Sequence, residues 1–589
     1  MGKYLLLASL GPVQSFISAA RRTRDLHAGS RLLSRAAFAA AQTLQGHGAK
    51  LIFPKASDNS KLEGIQQDGI PNVILAEIEA DSLDVIKSLA KEAEEAARRE
   101  LANIAREVFG KNETAQVLQQ KNEAIKQVHD LLEFFWAAVP VEGSYPEARE
   151  RLGRLMAARK NTRDFGPNPW PAPVPKSSLD GALESVIYQA DEQQRLKVGI
   201  RIGEQLSGVD LLKRRYLEEK NESFASTTVM ALIPFLEGLS SQEAAVIEEA
   251  LDQVAQKLGA GRSGRRPPKS LVDKFELLKK YDPRLFFPGR HQEIAQEPKE
   301  QPTESAARTT SEQEVIREAQ GTLSKTYSEL DKTPCPYYAI LHADGDRMGK
   351  AIDAQKNAEQ HRKLSAALTE FSQKVKEIVQ SHSGSLVYSG GDDVLALLPL
   401  HTALDCAREL AEDFESRLSG FKGSDDNNPT LSVGLAVVHH LFDLGEALNL
   451  ARRAEKEAKK TRNALAVIFS PRSGSETIAA GKWCEKPNMS ARLKNLAAWQ
   501  DEGKIPRGFA YELREMASTL SGFSESKKLI SLEAVRILKR KVTPDTKVES
   551  ALADWIERFG AERLSSELIV AWPFAKAFQL ASRPKEVAK

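Results

Sequence analysis

The sequence predicts an α+β protein that combines two ferredoxin-like sheet domains with a mainly helical middle and a C-terminal helical bundle. Three observations support this fold class. The chain has 589 residues, which is enough for roughly three or four domains of ordinary size. Near the N-terminus, a strand-like apolar run is followed by a helical pattern, two more strands and further helix. From residue 337 the chain follows a strand–helix–strand–strand–helix–strand order, which is typical of ferredoxin-like folds.

The first sheet domain is predicted over residues 1–165. Residues 4–10 are apolar and strand-like, and Pro12 then opens an Ala-, Leu- and Arg-rich helical pattern that runs to about residue 45. Short apolar runs predict two further strands, and charged, Ala-rich stretches predict two further helices. These strands lie at 50–53 and 73–78, and these helices lie at 82–109 and 114–135.

The remaining boundaries follow changes in composition. Residues 166–334 are predicted to be mainly helical, with a polar segment at about 290–320 that has almost nothing to bury and therefore predicts a flexible linker. Residues 335–475 form the second predicted sheet domain, and residues 476–589 form a helical C-terminal domain, since we expect helix throughout the chain after residue 470. The predicted strands of the second domain lie at 337–343, 386–388, 394–398, 431–439 and 464–469.

Composition narrows the functional classes. The chain has 83 Lys and Arg against 81 Asp and Glu, a formal net charge of +2, so contacts with nucleic acid must come from local patches rather than bulk charge. No apolar run reaches the ~20 residues of a membrane span, so we expect no membrane partner. Three widely separated cysteines form no CxxC pair; we therefore expect no disulfide framework or four-cysteine zinc ribbon, and a cytoplasmic location.

Two acidic clusters fall in the second sheet domain. The sequence DGD at 344–346 ends its first strand, and GGDD at 390–393 lies in a hairpin. In a ferredoxin-like sheet that strand and hairpin are neighbours, so the carboxylates meet and repel unless a divalent cation lies between them. Oxygen ligands without a nearby cysteine favour Mg²⁺ or Mn²⁺. Alone, GGDD is equally well explained as a hairpin turn and DGD is also a common turn, but both together at the ends of neighbouring strands favour a functional site. The candidate ligands are Asp344, Asp346, Asp392 and Asp393.

Glycines mark two candidate nucleotide contacts. Gly390 and Gly391 permit a positive φ and would let a nucleotide approach the backbone. In the first domain, Gly11, Gln14 and Ser15 lie between a strand and a helix, and a helix N-terminus with Gly and Ser suits a phosphate group. The alternative for these three residues is a plain strand–helix turn.

Several segments carry a resemblance to a known family. They include YYAILHADGDRMGK, HSGSLVYSGGDDVLALLPL and SVGLAVVHHLFDLGEALNLARRAEKEAKKTRNALAV in the second domain, and SLGPVQSFISAARRTRDLHAGSRLLS, GEQLSGVDLLKR and FASTTVMALIPF before it. The first three resemble the GGDEF/palm superfamily of nucleotide cyclases and polymerases. Together the segments resemble the large palm-domain subunit of type III-B CRISPR RNA-guided effector complexes, the Cmr module.

The resemblance implies two palm domains, of which the second is GGDEF-like and catalytic. In that family, target RNA activates the polymerisation of ATP into cyclic oligoadenylate with release of pyrophosphate. The resemblance implies that Asp344, Asp392 and Asp393 hold two Mg²⁺ or Mn²⁺ ions, that Asp392 and Asp393 are catalytic, and that Asp346 is a third ligand or lies behind them. The segment 11–15 becomes the cradle of a second ATP.

Lys459 lies about where the superfamily places a triphosphate-binding lysine, although its run AKKTRN lacks the usual glycine. A solvated helix face is an equally good explanation of Lys459. The partners that the resemblance implies are ATP, the other Cmr subunits, and guide crRNA and target RNA held mostly through those subunits.

One family feature, an HD-type nuclease domain, is not expected here. The chain starts directly at the first palm-like domain, and its His129-Asp130 pair has no companion histidine ligands, so we predict no HD-type DNase activity.

The competing functions are a non-catalytic scaffold subunit, a stand-alone dinucleotide cyclase, and a palm that joins ATP to another small molecule. Intact acidic clusters argue against the scaffold, and GGDD in place of GGDEF argues against the stand-alone cyclase.

Overall fold

The computed structural model describes residues 2–55, 70–162, 172–220, 222–260, 267–296, 312–520 and 526–582. Two β-sheets lie within these ranges, one in each predicted sheet domain. None of the helices in the described ranges is both long enough and apolar enough to cross a membrane.

The first sheet has four antiparallel strands in the spatial order second, third, first, fourth. This is the order of a ferredoxin-like fold, as predicted. The strands are β1 (Gly2–Gly11), β2 (Lys50–Phe53), β3 (Val73–Ala80) and β4 (Glu133–Pro140). The helices are α1 (Gln14–Ser18), α2 (Thr23–Gly46), α3 (Leu83–Phe109), α4 (Asn112–Val117), α5 (Lys121–Asp130) and α6 (Tyr145–Asn161).

Alternation along β1 gives this sheet two apolar faces. Leu6 and Leu10 are buried in the main core with α2 and α3, whereas Leu5 is buried on the opposite face together with Leu152 of α6. Successive side chains of a strand point to opposite faces, so an unbroken apolar strand requires cover on both sides.

The predicted helix over 114–135 is divided into α4 and α5 and is wrong after Asp130. The helical pattern ends with α5 at Asp130, and the run EFFWAAVP forms β4, the fourth strand of the sheet. Aromatic residues favour a pleated surface, and the register of β4 against β1 sets Phe135 opposite Ser9. The predicted helix over 12–45 is also divided, because Ala19 to Arg22 separate α1 from α2.

The middle domain is helical, as predicted. Two 3₁₀ turns also occur, at Pro283–Phe286 and Pro288–Arg290. The predicted linker at 290–320 is wrong at both ends, where His291–Ala295 and Glu312–Glu329 are helices whose Ile294 and Leu323 reach the core; residues 297–311 lie outside the described ranges. The helices are α7 (Glu192–Lys197), α8 (Gly208–Glu219), α9 (Thr227–Glu237), α10 (Ser241–Leu258), α11 (Lys269–Lys274), α12 (Glu276–Lys280), α13 (His291–Ala295) and α14 (Glu312–Glu329).

The second sheet has six strands, and the four at one side of it repeat the ferredoxin-like order. They are β5 (Tyr337–Asp346), β6 (Ser385–Gly390), β7 (Asp393–Leu398), β8 (Thr430–His439), β9 (Ala464–Ser470) and β10 (Thr477–Lys482), in the spatial order β10-β9-β8-β5-β7-β6. Only the β8–β9 pair is parallel among these. The helices are α15 (Met348–Asp353), α16 (Ala358–Ser381), α17 (Leu400–Leu418) and α18 (Leu444–Thr461).

The prediction that the chain is helical after residue 470 is wrong, because β10 extends the second sheet beyond it. A helical bundle then follows. Its last helix packs against α9 of the middle domain as well as against its own neighbours. The helices are α19 (Met489–Asp501), α20 (Phe509–Leu520), α21 (Ser526–Lys541), α22 (Thr546–Phe559) and α23 (Ala561–Ala581).

Candidate active site

The end of β5 supplies the first acidic cluster. Asp344 and Asp346 lie opposite Ser432 and Thr430 of β8 in the antiparallel register. Because side chains alternate along a strand, Asp344 and Asp346 point to the same face of the sheet. Asp346 is buried, at 2% exposure, whereas the Asp344 side chain remains partly exposed.

The GGDD hairpin supplies the second cluster. Gly390 pairs with Asp393, which leaves Gly391 and Asp392 as a two-residue turn. Gly391 has a φ of 69°, a left-handed conformation that favours glycine. A Cβ atom built on Gly345 would lie 2.8 Å from both Cβ and Oδ2 of Asp392. The tip of the hairpin therefore touches the end of β5, and the two clusters meet at one edge of the sheet.

Burial raises the pKa values of the two carboxyl groups of the hairpin. Burial, and then the charge of Asp393, raise the pKa of Asp392 to about 7. Burial also raises the pKa of Asp393, although the charge of Arg452 opposes that shift. A raised carboxyl pKa means that the surroundings do not compensate the negative charge. A cation placed among these oxygens would lower both values.

Helix α18 brings charged residues to the same place. It packs on β8 at Gly434, where a Cβ atom would lie 2.1 Å from the backbone nitrogen of Glu455. Lys459 forms an ion pair with Asp344, and its Nζ lies 3.6 Å from Oε1 of Glu455. Burial raises the pKa of Glu455 to about 7, and the charge of Asp393 adds to this; burial lowers the pKa of Lys459.

Glu455 and Arg452 were missed by the reasoning from sequence. Both stand in the charged run ARRAEKEAKK, which has the composition of a solvated helix face. The available signal was their spacing, since residues 452, 455 and 459 recur at the three- and four-residue intervals of one helical face. That face meets the acidic edge of the sheet because α18 ends beside β5.

Asp346 has a different environment from the other acids. Its Oδ1 accepts a hydrogen bond from Ser432 Oγ at 2.9 Å. Its Oδ2 accepts from Thr430 Oγ1 and Ser432 Oγ, each at 2.9 Å, and from the backbone N–H of Asn463 at 2.8 Å. Both oxygens are therefore engaged by protein donors.

The side-chain oxygens at this edge of the sheet are of the kind that binds a divalent cation. Within the described ranges, no three His, Cys, Asp or Glu side chains are already arranged to hold a metal ion. The donors are nevertheless carboxylate oxygens of raised pKa, which suit Mg²⁺ or Mn²⁺. Lys459 supplies a positive charge to Asp344 in this structure. The residues that fit a cation are Asp344, Asp392 and Asp393.

The predicted phosphate cradle of the first domain lacks the expected long helix. Gln14 begins a helix of only five residues, and Gln14 and Ser15 are exposed. Gly11 ends β1 beside Glu133, whose Oε2 would lie 3.4 Å from a Cβ atom at Gly11. A carboxylate at that position opposes a phosphate. The first domain does approach the hairpin through Phe53, whose ring would lie 3.5 Å from a Cβ atom at Gly391.

Two family models match the chain. Residues 337–466 match the second palm domain of Cas10/Cmr2, and residues 5–106 match the N-terminal domain of the CRISPR-associated protein Cmr2. The chain is 29% identical over 275 residues to the CRISPR system Cmr subunit Cmr2 of Pyrococcus furiosus. That alignment covers 40% of this chain and 30% of the relative, so it spans less than a third of the length of the curated protein.

Two solved structures have a similar fold. A cryo-EM structure of a type III-B Cmr-beta complex in the apo state contains a chain that matches with a TM-score of 0.60 at 14% identity, over 92% of this chain and 78% of the other. The same type of complex bound to cognate target RNA gives a TM-score of 0.63 at 13% identity, over 95% and 83% of the two chains. At these identities the likeness concerns the fold.

Proposed function

We propose that the chain is a member of the Cas10/Cmr2 family and the large subunit of a type III-B CRISPR RNA-guided effector complex, a proposal supported by the two family models and the curated relative that it matches. Its partners would be the other Cmr subunits, with guide crRNA and target RNA held mainly through them. The near-neutral net charge of +2 is consistent with that division of RNA binding. Target RNA and ATP both occur in the cytoplasm, where such a complex would work.

The proposed activity is a target-RNA-activated nucleotidyl transfer that converts ATP into cyclic oligoadenylate. The observation that carries this proposal is the contact between the GGDD hairpin and the end of β5, where Asp392 lies against Gly345. A hairpin that served only as a turn would not need to bring two carboxyl groups of raised pKa to a third. Such an arrangement is unfavourable unless a cation or a substrate compensates it.

In the proposed reaction, the 3′-oxygen of one ATP forms a bond to the α-phosphorus of another and loses its proton. The bond between that phosphorus and the β-phosphate oxygen breaks, and pyrophosphate leaves. Asp344, Asp392 and Asp393 would hold Mg²⁺ or Mn²⁺, which supplies charge neutralisation and activates the attacking hydroxyl when bound. Lys459, which pairs with Asp344 in this structure, would bind the triphosphate if a cation took its place on Asp344.

A product assay tests this proposal. The complex is reconstituted with guide RNA, matching target RNA, ATP and Mg²⁺ or Mn²⁺, and the products are resolved by mass spectrometry. The variant is Asp392→Asn/Asp393→Asn. The matched control is Asp405→Asn/Asp413→Asn, because both residues lie on α17 of the same domain and pair there with Lys494 and Arg417.

We expect target-dependent oligoadenylates from the wild type and the control, and none from the GGDD variant. Pyrophosphate release with another adenylated product would keep the mechanism and change the messenger. The absence of ATP turnover from the wild-type complex would refute the proposed activity and support a scaffold function.

A further inference from the structure

Asp346 is the residue of the two acidic clusters whose two side-chain oxygens both accept hydrogen bonds from Ser, Thr or backbone donors. We propose that Asp346 is a positioning residue, which fixes the C-terminal end of α18 so that Lys459 is aimed at the polyphosphate of a nucleoside triphosphate, and that it is not a metal ligand. The inference deepens the proposed function and rests on it for the identity of the nucleotide.

The hydrogen bonds of Asp346 leave little room for a metal. Three protein donors, from Ser432, Thr430 and Asn463, contact its two oxygens at 2.8–2.9 Å, and the Ser432 hydroxyl shares its single proton between both oxygens. A cation bound here would displace these donors. The N–H of Asn463 would then lose its acceptor in a poorly solvated position, which is costly. Asp344 and Asp392 carry no comparable set of donors.

The bond to Asn463 controls the end of α18. The helix ends at Thr461, and both Arg462 and Asn463 then adopt positive φ values of 57° and 47°. Side chains other than glycine disfavour this conformation, so the surroundings must hold it in place. Asp346 accepts from the N–H of Asn463, and the carbonyl of Asn463 accepts from the N–H of Trp483 at 2.9 Å.

These contacts make β5 a two-point support for the last turn of α18. Asp346 accepts a hydrogen bond from the backbone N–H of Asn463. Asp344, two residues earlier on the same face, forms an ion pair with Lys459. Lys459 lies one turn before Asn463, so a change at Asn463 moves its ammonium group. When a cation takes Asp344, the released Lys459 faces whatever anion accompanies that cation. Substitution of Asp346 should therefore lower the affinity for a triphosphate, through Lys459, and should leave the affinity for a metal ion unchanged.

The experiment uses the full chain with Asp346→Asn and compares three readouts. Amide hydrogen exchange of the segment 459–465 is measured without ligand. Mn²⁺ binding is followed by electron paramagnetic resonance, and ATP and AMP binding by calorimetry with Ca²⁺. The matched control is Asp443→Asn, since Asp443 caps the opposite end of the same helix by accepting from the N–H of Glu446. Thr430→Val, which removes one donor to Asp346, is a milder second variant.

We expect Asp346→Asn to accelerate amide hydrogen exchange in 459–465 about tenfold and to change the affinity for Mn²⁺ by no more than about threefold. The affinity for ATP should fall about tenfold, and the affinity for AMP should change little. These are order-of-magnitude values for the loss of one hydrogen bond to a charged group. Lys459→Met should lower the affinity for ATP to a similar extent. The double variant Asp346→Asn/Lys459→Met should bind ATP no more weakly than the weaker of the two single variants, because both substitutions act through the same ammonium group.

Loss of Mn²⁺ binding in Asp346→Asn, with exchange in 459–465 unchanged, would overturn the inference and make Asp346 a metal ligand. An effect matched by Asp443→Asn would reduce it to general support of the helix. The exchange readout needs no ligand. A wild-type chain that binds no ATP, but whose 459–465 segment responds as expected, would refute the proposed function while leaving the support of α18 by Asp346 standing.

Discussion

The motif GEQLSGVDLLKR contains a buried ion cluster whose removal should be costly. Arg214 of α8 is fully enclosed, at 1% side-chain exposure. It donates to both oxygens of Asp25 on α2, at 3.1 and 3.0 Å, and to both oxygens of Glu204, at 3.0 and 2.9 Å. The cluster thus joins the first sheet domain to the middle domain. The perturbation is Arg214→Met, which keeps an unbranched side chain and removes the charge.

The magnitude follows from Glu204. Burial alone would raise its pKa, but the hydrogen bonds and charge of Arg214 outweigh burial and lower it from 4.5 to about 2. A lowering of the pKa from 4.5 to about 2 corresponds to roughly 3 kcal/mol of stabilisation. This agrees with the roughly 3–5 kcal/mol that is lost when one partner of a buried pair is removed. We therefore expect Arg214→Met to lower the free energy of unfolding by about 3 kcal/mol at pH 7.

The effect should depend on pH with a definite sign. In the wild type, the contribution of Glu204 is complete above its unfolded pKa of 4.5 and is lost as the pH falls toward about 2. In the variant, the buried carboxyl group is destabilising while ionised and is relieved by protonation. The difference between the two proteins should therefore shrink between pH 7 and pH 4.

Urea denaturation of the full chain, followed by circular dichroism at both pH values, measures this difference in its first transition. The matched control is Lys220→Met, because Lys220 lies just after the same helix and forms an exposed pair with Glu107. Such pairs contribute about 0–1 kcal/mol. A deficit for Arg214→Met that equals the control, or that is the same at pH 7 and pH 4, would refute the reasoning.

Two further variants test contacts that position the site and the C-terminal bundle. Gly434→Ala should displace α18, because the new Cβ would lie 2.1 Å from the nitrogen of Glu455; we expect ATP turnover to fall at least tenfold, whereas Gly153→Ala, with open space around it, should be neutral in the same assay. Arg492→Met removes a buried pair with Glu567, whose oxygens lie 2.9 and 2.6 Å from the guanidinium nitrogens. Limited proteolysis should then cleave the C-terminal bundle several times faster, and an unchanged cleavage rate would contradict the assigned role of this pair.

Local pattern was sufficient for the second sheet domain where each strand is an apolar run. The strands from Tyr337 to Ser470 and the adjacency of the two acidic clusters were predicted because they follow from alternation and from one known strand order. Strands β4 and β10 were missed for a physical reason. Strand β4 pairs with β1, more than a hundred residues away. Strand β10 pairs with the preceding strand β9 across residues 471–476, and its six residues alternate between buried positions and exposed or half-buried ones. Such strands owe their conformation to the sheet edge that receives them.

The charged face of α18 shows a different limit. Its residues Ala447, Ala451, Ala454 and Ala458 are buried, and small side chains let a helix approach a sheet closely. The charged residues beside this stripe are carried to the strand ends by that approach, although by composition alone they belong in solvent. Close packing and electrostatics are therefore coupled here, because the helix that covers the sheet also sets a glutamate beside the aspartates.

That coupling has a consequence for binding. The edge formed by β5, the hairpin and α18 gathers five carboxyl groups, from Asp344, Asp346, Asp392, Asp393 and Glu455, with Arg452 and Lys459 as nearby cations. An anionic nucleotide entering alone would add repulsion to this group of carboxylates, of which Asp392, Asp393 and Glu455 already have pKa values raised mainly by burial. A divalent cation bound there would remove that repulsion and would at the same time free Lys459 from Asp344. Nucleotide affinity at this edge should therefore require the metal, and the order of the two events is fixed by charge rather than by shape.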